Sequence, residues 1–156
     1  MKSIKNVVAL GIFLSLFQAN AFSQTFKSND KAKDYFYSLD DRFNVAIAAR
    51  DSLFFANGFA DNYINCTPIG IINNKKEEIQ TLLKLSPLKV ERVAQKFDIF
   101  TYSNKLATLS VIKKLTMKDL SILYVRRTIV HKLIDGKWQF VSGQGTNVLP
   151  KYVETN

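Results

Sequence analysis

The sequence contains a single cysteine and a single histidine, and this scarcity excludes two kinds of site. One cysteine cannot form an internal disulfide, and one cysteine with one histidine cannot supply the ligands of a Cys/His zinc site. The chain has 3 prolines and 6 glycines in 156 residues, which excludes collagen-like and low-complexity designs. The composition is otherwise that of one packed globular domain, with 47 % hydrophobic, 12 % aromatic and 22 % charged residues.

The N-terminal segment has the pattern of a secretory signal peptide. Lysines precede an apolar run over residues 7–17, which is shorter than the about 20 residues that a membrane-spanning helix needs. Small residues follow and allow cleavage before Gln24 or, as a second choice, before Phe22. We therefore expect residues 1–23 to be a signal peptide and residues 24–156 to be one domain. That domain is expected to be periplasmic or secreted, with no stable membrane anchor after cleavage.

The chain is basic, with a formal net charge of +9 at pH 7. A basic protein attracts anions in general. The lysines and arginines are dispersed along the sequence and form only pairs, such as Arg126-Arg127. For an exported chain this pattern favours a solvated basic surface, and we expect no nucleic-acid partner.

The hydrophobic pattern places helices first and strands last. Asp51 is typical of a helix N-cap, and Asn74 followed by Glu77 predicts a capping box. Asp135-Gly136 between two alternating segments predicts a type I′ hairpin. Helices are predicted over residues 30–50, 52–57 and 75–85. Strands are predicted over residues 63–67, 71–72, 88–102, 106–115, 121–134 and 138–148. This order predicts an α+β fold, a cone-shaped half-barrel of curved antiparallel sheet wrapped around the long N-terminal helix.

Five short stretches carry a resemblance to a known group of proteins. They are Ala49-Arg50-Asp51, Phe59 to Tyr63, Pro68-Ile69-Gly70, Asn74 to Ile79, and Asp135 to Ser142. In this order and spacing the chain resembles the nuclear transport factor 2-like superfamily, which has a cystatin-like fold. Within it, the chain looks most like the SnoaL-like group known as domain of unknown function 4440. The superfamily includes isomerases, dehydratases, hydrolases, transport factors and non-enzymes, so the resemblance implies a fold and no particular activity.

The predicted hairpin also fixes which residues share a face of the sheet. A two-residue turn pairs Leu133 with Trp138, His131 with Phe140, Ile129 with Ser142, and Arg127 with Gln144. These residues share the face that is richer in apolar side chains, and we expect that face to line the inside of the cone. Trp138 is expected to be buried near Phe43 or Ile47. On the first strand Tyr63, Asn65 and Thr67 share a face. The candidate ligand-pocket residues are therefore Tyr63, Asn65, Thr67, Arg127, His131, Trp138, Phe140, Ser142 and Gln144.

Catalysis of the ketosteroid isomerase type is disfavoured. In those members of the superfamily an Asp before the first-strand turn is the base, and a Tyr on the first helix stabilises the oxyanion. The corresponding positions here are Thr67 and Phe43, and neither side chain can take the role. His131 is the one imidazole, read either as a hydrogen-bonded residue of the sheet or as a general base in the cone. Of the other carboxylates, Asp61 is expected to turn the chain before the first strand and Asp98 to be exposed.

Three hypotheses about function stay open. The first is that the cone binds a small amphipathic or anionic molecule, with no cofactor and no metal. The second is a pocket enzyme of hydrolase, dehydratase or isomerase type that uses His131. The third is a homodimeric interaction module that pairs through the outer face of its sheet and holds no ligand. A homodimer through that face is expected as the protein partner.

Overall fold

The structure is a computed structural model that describes residues 26–85, 87–93, 96 and 98–153. The predicted signal peptide lies outside the described residues. The helices are α1 (Asn29–Ala49), α2 (Ser52–Gly58) and α3 (Lys75–Lys84). The strands are β1 (Phe59–Cys66), β2 (Ile72–Asn74), β3 (Pro87–Val93), β4 (Ile99–Ser103), β5 (Leu106–Met117), β6 (Ile122–Ile134) and β7 (Lys137–Asn147). A 3-10 turn, Pro150–Tyr152, follows β7. In the described part of the chain no helix is both long and apolar enough to span a membrane.

The helices begin where the local sequence predicts. The side chain of Asp51 accepts a hydrogen bond from the backbone N–H of Phe54 at 2.9 Å and caps α2. Asn74 and Glu77 form the predicted capping box, in which each side chain accepts from the other residue's N–H, at 3.0 and 2.9 Å. These caps satisfy backbone donors that the first helical turn leaves unpaired. Both cap predictions are confirmed.

The strands form one curved, unclosed sheet in the order β2-β1-β7-β6-β5-β3. Strand β3 pairs with the second half of β5, and β4 pairs with the first half along the same edge. The β1–β7 pair is parallel, and the other described pairs are antiparallel. The predicted strand over 88–102 is divided into β3 and β4. Helix α1 lies on the concave face of the sheet, so the expected α+β half-barrel around a long helix is confirmed.

The β6–β7 hairpin begins as predicted and then shifts its register. Asp135 (φ 49°) and Gly136 (φ 76°) both have the left-handed backbone that a type I′ turn requires. The predicted pairing holds as far as His131 with Phe140, but Val130 then pairs with Ser142. Val141 is therefore an extra residue in β7, a β-bulge.

The bulge reverses the faces of the second half of β7. Ile129 pairs with Gly143 and Arg127 pairs with Gly145, so the predicted pairs of Ile129 with Ser142 and of Arg127 with Gln144 are wrong. Because side chains alternate along a strand, one inserted residue exchanges inside for outside. Ser142 and Gln144 consequently belong to the convex face, and the two glycines face the interior.

Aromatic side chains fill the closed end of the cone. Trp138 is buried and its ring lies 4.9 Å from that of Phe36, in the N-terminal half of α1. It is Phe140 that packs against Phe43, at 5.5 Å. The burial of Trp138 is as predicted, but its expected neighbours were wrong, because the hairpin end of β7 lies level with the start of α1.

Candidate functional site

A cavity of about 440 Å³ occupies the other end of the cone, between the sheet, the end of α1 and helix α3. Its size falls in the range of small-molecule sites. Its walls are aliphatic, formed by Ile47, Leu82, Leu85, Val90, Leu115 and Val125. Its mouth lies at the turn between β1 and β2, where Ile69 and Ile71 are exposed.

The floor of the cavity is polar and is organised by Glu78. This carboxylate is 1 % exposed. Its Oε2 accepts hydrogen bonds from the side-chain amides of Asn65 at 2.9 Å and Asn73 at 3.0 Å, and its Oε1 lies 3.5 Å from Nη2 of Arg127. A carboxylate can be buried at tolerable cost when donors surround it in this way. Glu78 lies in the first turn of α3, so the predicted capping box also positions the central residue of the floor.

Arg127 connects the floor to the sheet. Its Nη2 donates to the hydroxyl of Tyr63 at 3.2 Å, and its guanidinium lies 4.9 Å from the ring centre of Phe43. Burial raises the pKa of Tyr63 to about 12, against the lowering effect of Arg127, so the phenol is neutral near neutral pH. Nε of Arg127 and Oδ1 of Asn65 are buried and have no hydrogen-bond partner among the described residues. Both atoms are enclosed within the floor.

Gly143 allows these polar groups to approach β7. A Cβ atom at this position would lie 2.6 Å from Oδ1 of Asn65 and 2.6 Å from the hydroxyl of Tyr63. Such contacts are far inside van der Waals distance, so a larger residue at this position would force its neighbours to move. The β-bulge that turns Gly143 inward is therefore a structural requirement of the floor.

A second charged pair lies beside the first. Nζ of Lys113 is 2.6 Å from Oδ1 of Asp40 and 2.6 Å from Oδ1 of Asn44, and all three residues are buried. Burial lowers the pKa of Lys113, and the neighbouring Asp40 opposes that shift. Lys113 and Arg127 are matched by Asp40 and Glu78, so the charges at this end of the cone balance.

The structure brings together some of the predicted site residues and separates others. Asn65, Thr67 and Arg127 line the cavity, and Tyr63 lies directly behind Arg127. The hydroxyl of Thr67 accepts a hydrogen bond from the N–H of Ile71 at 3.0 Å, so it also holds the turn at the mouth.

The expectation that His131 could face the cavity is wrong. His131 is 1 % exposed, and its ring lies 4.8 Å from the rings of both Phe36 and Phe140. Burial lowers its pKa to about 3, so it is neutral. Trp138 and Phe140 likewise belong to the aromatic core, because the closed end of the cone is filled. Ser142 and Gln144 lie on the convex side for the reason given above.

The two remaining candidate carboxylates lie away from the cavity. Asp61 is exposed within β1 and pairs with Lys75 at 3.1 Å. Asp98, expected to be exposed, has a side chain only 3 % exposed and lies 3.9 Å from Nε of Arg92. Burial raises the pKa of Asp98, against the effects of Tyr37 and Arg92. Among the described residues no group of three or more His, Cys, Asp or Glu side chains could hold a metal ion.

Sequence reasoning missed Glu78, Asn73, Lys113 and Gly143. The local pattern around Glu78 and Lys113 does not distinguish a solvated face from a polar floor. Gly143 and Gly145 did carry a signal. Glycines two apart in a predicted strand share a face and mark a close approach of other groups.

Similarity to solved structures identifies the fold. No family model matches the chain, and no curated protein matches its sequence. A nuclear transport factor 2-like protein from Cytophaga hutchinsonii superposes with a TM-score of 0.66 at 20 % identity, over 74 % of this chain and 98 % of that one. An uncharacterized protein with a cystatin-like fold from Caulobacter vibrioides gives 0.59 at 18 % identity, over 78 % and 92 %. A proposed ketosteroid isomerase from Parabacteroides distasonis gives 0.63 at 14 % identity, over 85 % and 99 %. The chain has the nuclear transport factor 2-like fold, as its sequence resemblance predicts.

Proposed function

We propose that this chain, which has the nuclear transport factor 2-like fold, is a binding protein for a small amphipathic molecule. The observation that carries the proposal is a cavity with aliphatic walls and a hydrogen-bonding floor. An apolar ligand body would be removed from water against the walls, at roughly 25 cal/mol per Å² of buried apolar surface. The polar groups of the floor would fix its orientation.

The head group of the ligand is proposed to be uncharged. Arg127 already faces Glu78, and Lys113 already faces Asp40. An anionic head would therefore compete with a buried carboxylate for the same cations and would leave a net negative charge in a desolvated site. An uncharged hydroxyl head would leave both ion pairs intact and could hydrogen-bond to the cavity-lining side chains of Asn65 and Arg127. This argument narrows the expected amphipathic or anionic ligand to a neutral amphiphile.

The alternative of a pocket enzyme that uses His131 receives no support from the geometry. His131 is enclosed by Phe36 and Phe140, and its pKa is lowered to about 3. A general base must reach the proton that it removes, and it works best when its pKa is near the operating pH. Binding without turnover is the function that the arrangement supports best.

Titration with the neutral fluorophore N-phenyl-1-naphthylamine tests the proposal. We expect saturable binding, and we expect n-decanol to displace the probe more effectively than decanoate does. Val125→Phe should weaken the binding because its larger side chain projects into the cavity. Val130→Phe is the matched control, because Val130 lies on the same strand but faces outward. Absence of saturable binding, or equal binding by both variants, would overturn the proposal.

A second pair of variants tests the floor. Arg127→Ala should weaken n-decanol binding by about 1.5–3 kcal/mol, the usual contribution of a hydrogen bond to a charged group. Arg126→Ala, on the opposite face of β6, should leave the affinity unchanged. Thermal melts of both variants are needed because the change at Arg127 also leaves Glu78 without its cation. If the two changes weaken binding equally, Arg127 has no role in the floor.

We further propose that the protein is exported and forms a homodimer through the convex face of the sheet. On that face Ile64 of β1 and Ile72 of β2 are 54 % and 69 % exposed, beside the short side chains of Cys66 and Ser142. An exposed apolar patch on the outer face of the sheet favours self-association. Light scattering should give the mass of a dimer for the wild type and of a monomer for Ile72→Lys. A monomeric wild type would refute this part of the proposal.

A further inference from the structure

Several large apolar side chains are exposed around the mouth of the cavity. Ile69 and Ile71, in the turn between β1 and β2, are 76 % and 54 % exposed. Across the opening Leu123, at the start of β6, is 47 % exposed and also lines the cavity. With Leu120 these residues form the set that we call the rim. Exposed large apolar residues that cluster on one side mark an interaction surface.

Leu120 adds an independent observation. It lies in the β5–β6 turn, between Leu115 and Leu123, which both line the cavity. Its backbone has φ 65°, in the left-handed region that leucine rarely adopts, and its side chain is 73 % exposed. Folding would favour glycine or asparagine at such a position. A strained and solvent-exposed leucine is a feature that points to a role outside the fold.

The chain segments around the rim are basic. Residues 84–85, 87–91, 114–123 and 147–153 each contain or adjoin a residue of the cavity wall, and together they carry five lysines and two carboxylates. One of the carboxylates, Glu91, is paired with Lys89 at 2.8 Å. Lys118 is exposed and lies two residues from Leu120. Apolar side chains surrounded by lysines are complementary to a surface that combines anionic groups with an apolar interior.

We propose that the rim docks on an anionic lipid surface, with Ile69 and Leu120 inserted between the headgroups. The two side chains stand on separate turns, Ile69 between β1 and β2 and Leu120 between β5 and β6. Docking would place the mouth of the cavity against the bilayer, so that an amphiphile could enter from the lipid without crossing water. The uptake of an amphiphile from the lipid rests on the proposed binding function. The docking surface is argued from the rim alone and does not depend on that function.

Co-sedimentation with vesicles tests the docking. We expect the wild type to bind vesicles of phosphatidylglycerol and phosphatidylcholine, to bind pure phosphatidylcholine much more weakly, and to be released as the salt concentration rises. Leu120→Asn should weaken binding by at least about fivefold, because it removes an inserted apolar side chain. Asparagine tolerates the left-handed backbone, so this variant should fold at least as well as the wild type.

Leu106→Asn is the matched control. Leu106 is 46 % exposed and begins β5 at the end opposite to the rim. Its replacement should change vesicle binding by less than about twofold, because this end of the sheet would face away from the lipid. Failure of the wild type to bind anionic vesicles, or equal losses in the two variants, would overturn the proposal. Sedimentation with both kinds of vesicle to the same extent would also overturn it.

The variant Val125→Phe, which narrows the cavity, separates this inference from the proposed function. Val125→Phe should keep wild-type vesicle binding, since Val125 lies inside the cavity and outside the rim. If vesicles bind normally and no amphiphile does, the docking surface stands and the ligand proposal fails. If amphiphiles bind and vesicles do not, the docking proposal fails alone.

Discussion

Gly143→Ala is the change that most sharply tests the geometry of the cavity floor. The added Cβ would lie 2.6 Å from Oδ1 of Asn65 and 2.6 Å from the hydroxyl of Tyr63. Neither neighbour can easily move away. Tyr63 is 1 % exposed and is held by Arg127, and Asn65 is 2 % exposed and is held by Glu78.

The expected loss of stability follows from two opposing effects. Overpacking of a well-filled interior costs about 1–3 kcal/mol. Replacing a glycine inside a strand returns about 0.5–1 kcal/mol, because the unfolded chain loses conformational freedom. We therefore expect Gly143→Ala to lower the free energy of unfolding by about 1–2 kcal/mol in urea titrations.

A double-mutant cycle with Tyr63→Phe identifies the source of the loss. Removing the hydroxyl eliminates one of the two close contacts, so the loss in the double variant should be smaller than the sum of the single losses by at least about 0.5 kcal/mol. Ser142→Ala, one residue away and on the convex face, is the control and should have little effect. If Gly143→Ala is neutral and Ser142→Ala is destabilising, the β-bulge at Val141 and the floor derived from it are refuted.

Three further predictions concern the core and the N-terminus. Trp138→Ala should cost about 3–5 kcal/mol in chemical denaturation, and a loss below about 1 kcal/mol would place Trp138 at the surface. Burial lowers the pKa of His131 from 6.5 to about 3, so its stabilising effect is complete above pH 6.5 and is lost as the pH falls toward 3. Relative to His131→Leu, the free energy of unfolding of the wild type should fall by up to about 1.4 kcal/mol per pH unit in this window. If the two proteins lose stability in parallel as the pH falls, the lowered pKa of His131 is contradicted. N-terminal sequencing of exported protein should give Gln24 or Phe22 as the first residue, whereas a full-length chain in the cytosol would contradict export.

Local chemistry explains why much of the fold could be predicted. The caps at Asp51 and Asn74 and the turn at Asp135-Gly136 depend on residues within a few positions of each other. The hairpin register followed from the turn as far as His131 and Phe140. The bulge at Val141 could not be predicted from the turn, because no local pattern marks it. It turns Gly143 toward Tyr63 and Asn65, which come from a distant part of the chain.

The candidate site was predicted in part for the same reason. Asn65 and Arg127 lie in strands whose alternation is regular at those positions, and Thr67 directly follows β1; all three line the cavity. His131 shares the inward face with Arg127, but the sequence does not say how far the aromatic core fills the cone. Glu78 contributes from a helix whose packing against the sheet is set by tertiary contacts, and no local pattern indicates them.

The ligand that the protein carries in its native organism would show whether the cavity is a binding site. Protein purified without detergent from the cells that make it would be extracted and analysed by mass spectrometry, beside Val125→Phe purified in the same way. We predict that the wild type yields a small neutral amphiphile in near-stoichiometric amount and that Val125→Phe yields much less. Identical extracts from the two proteins would contradict the claim that the cavity is a binding site.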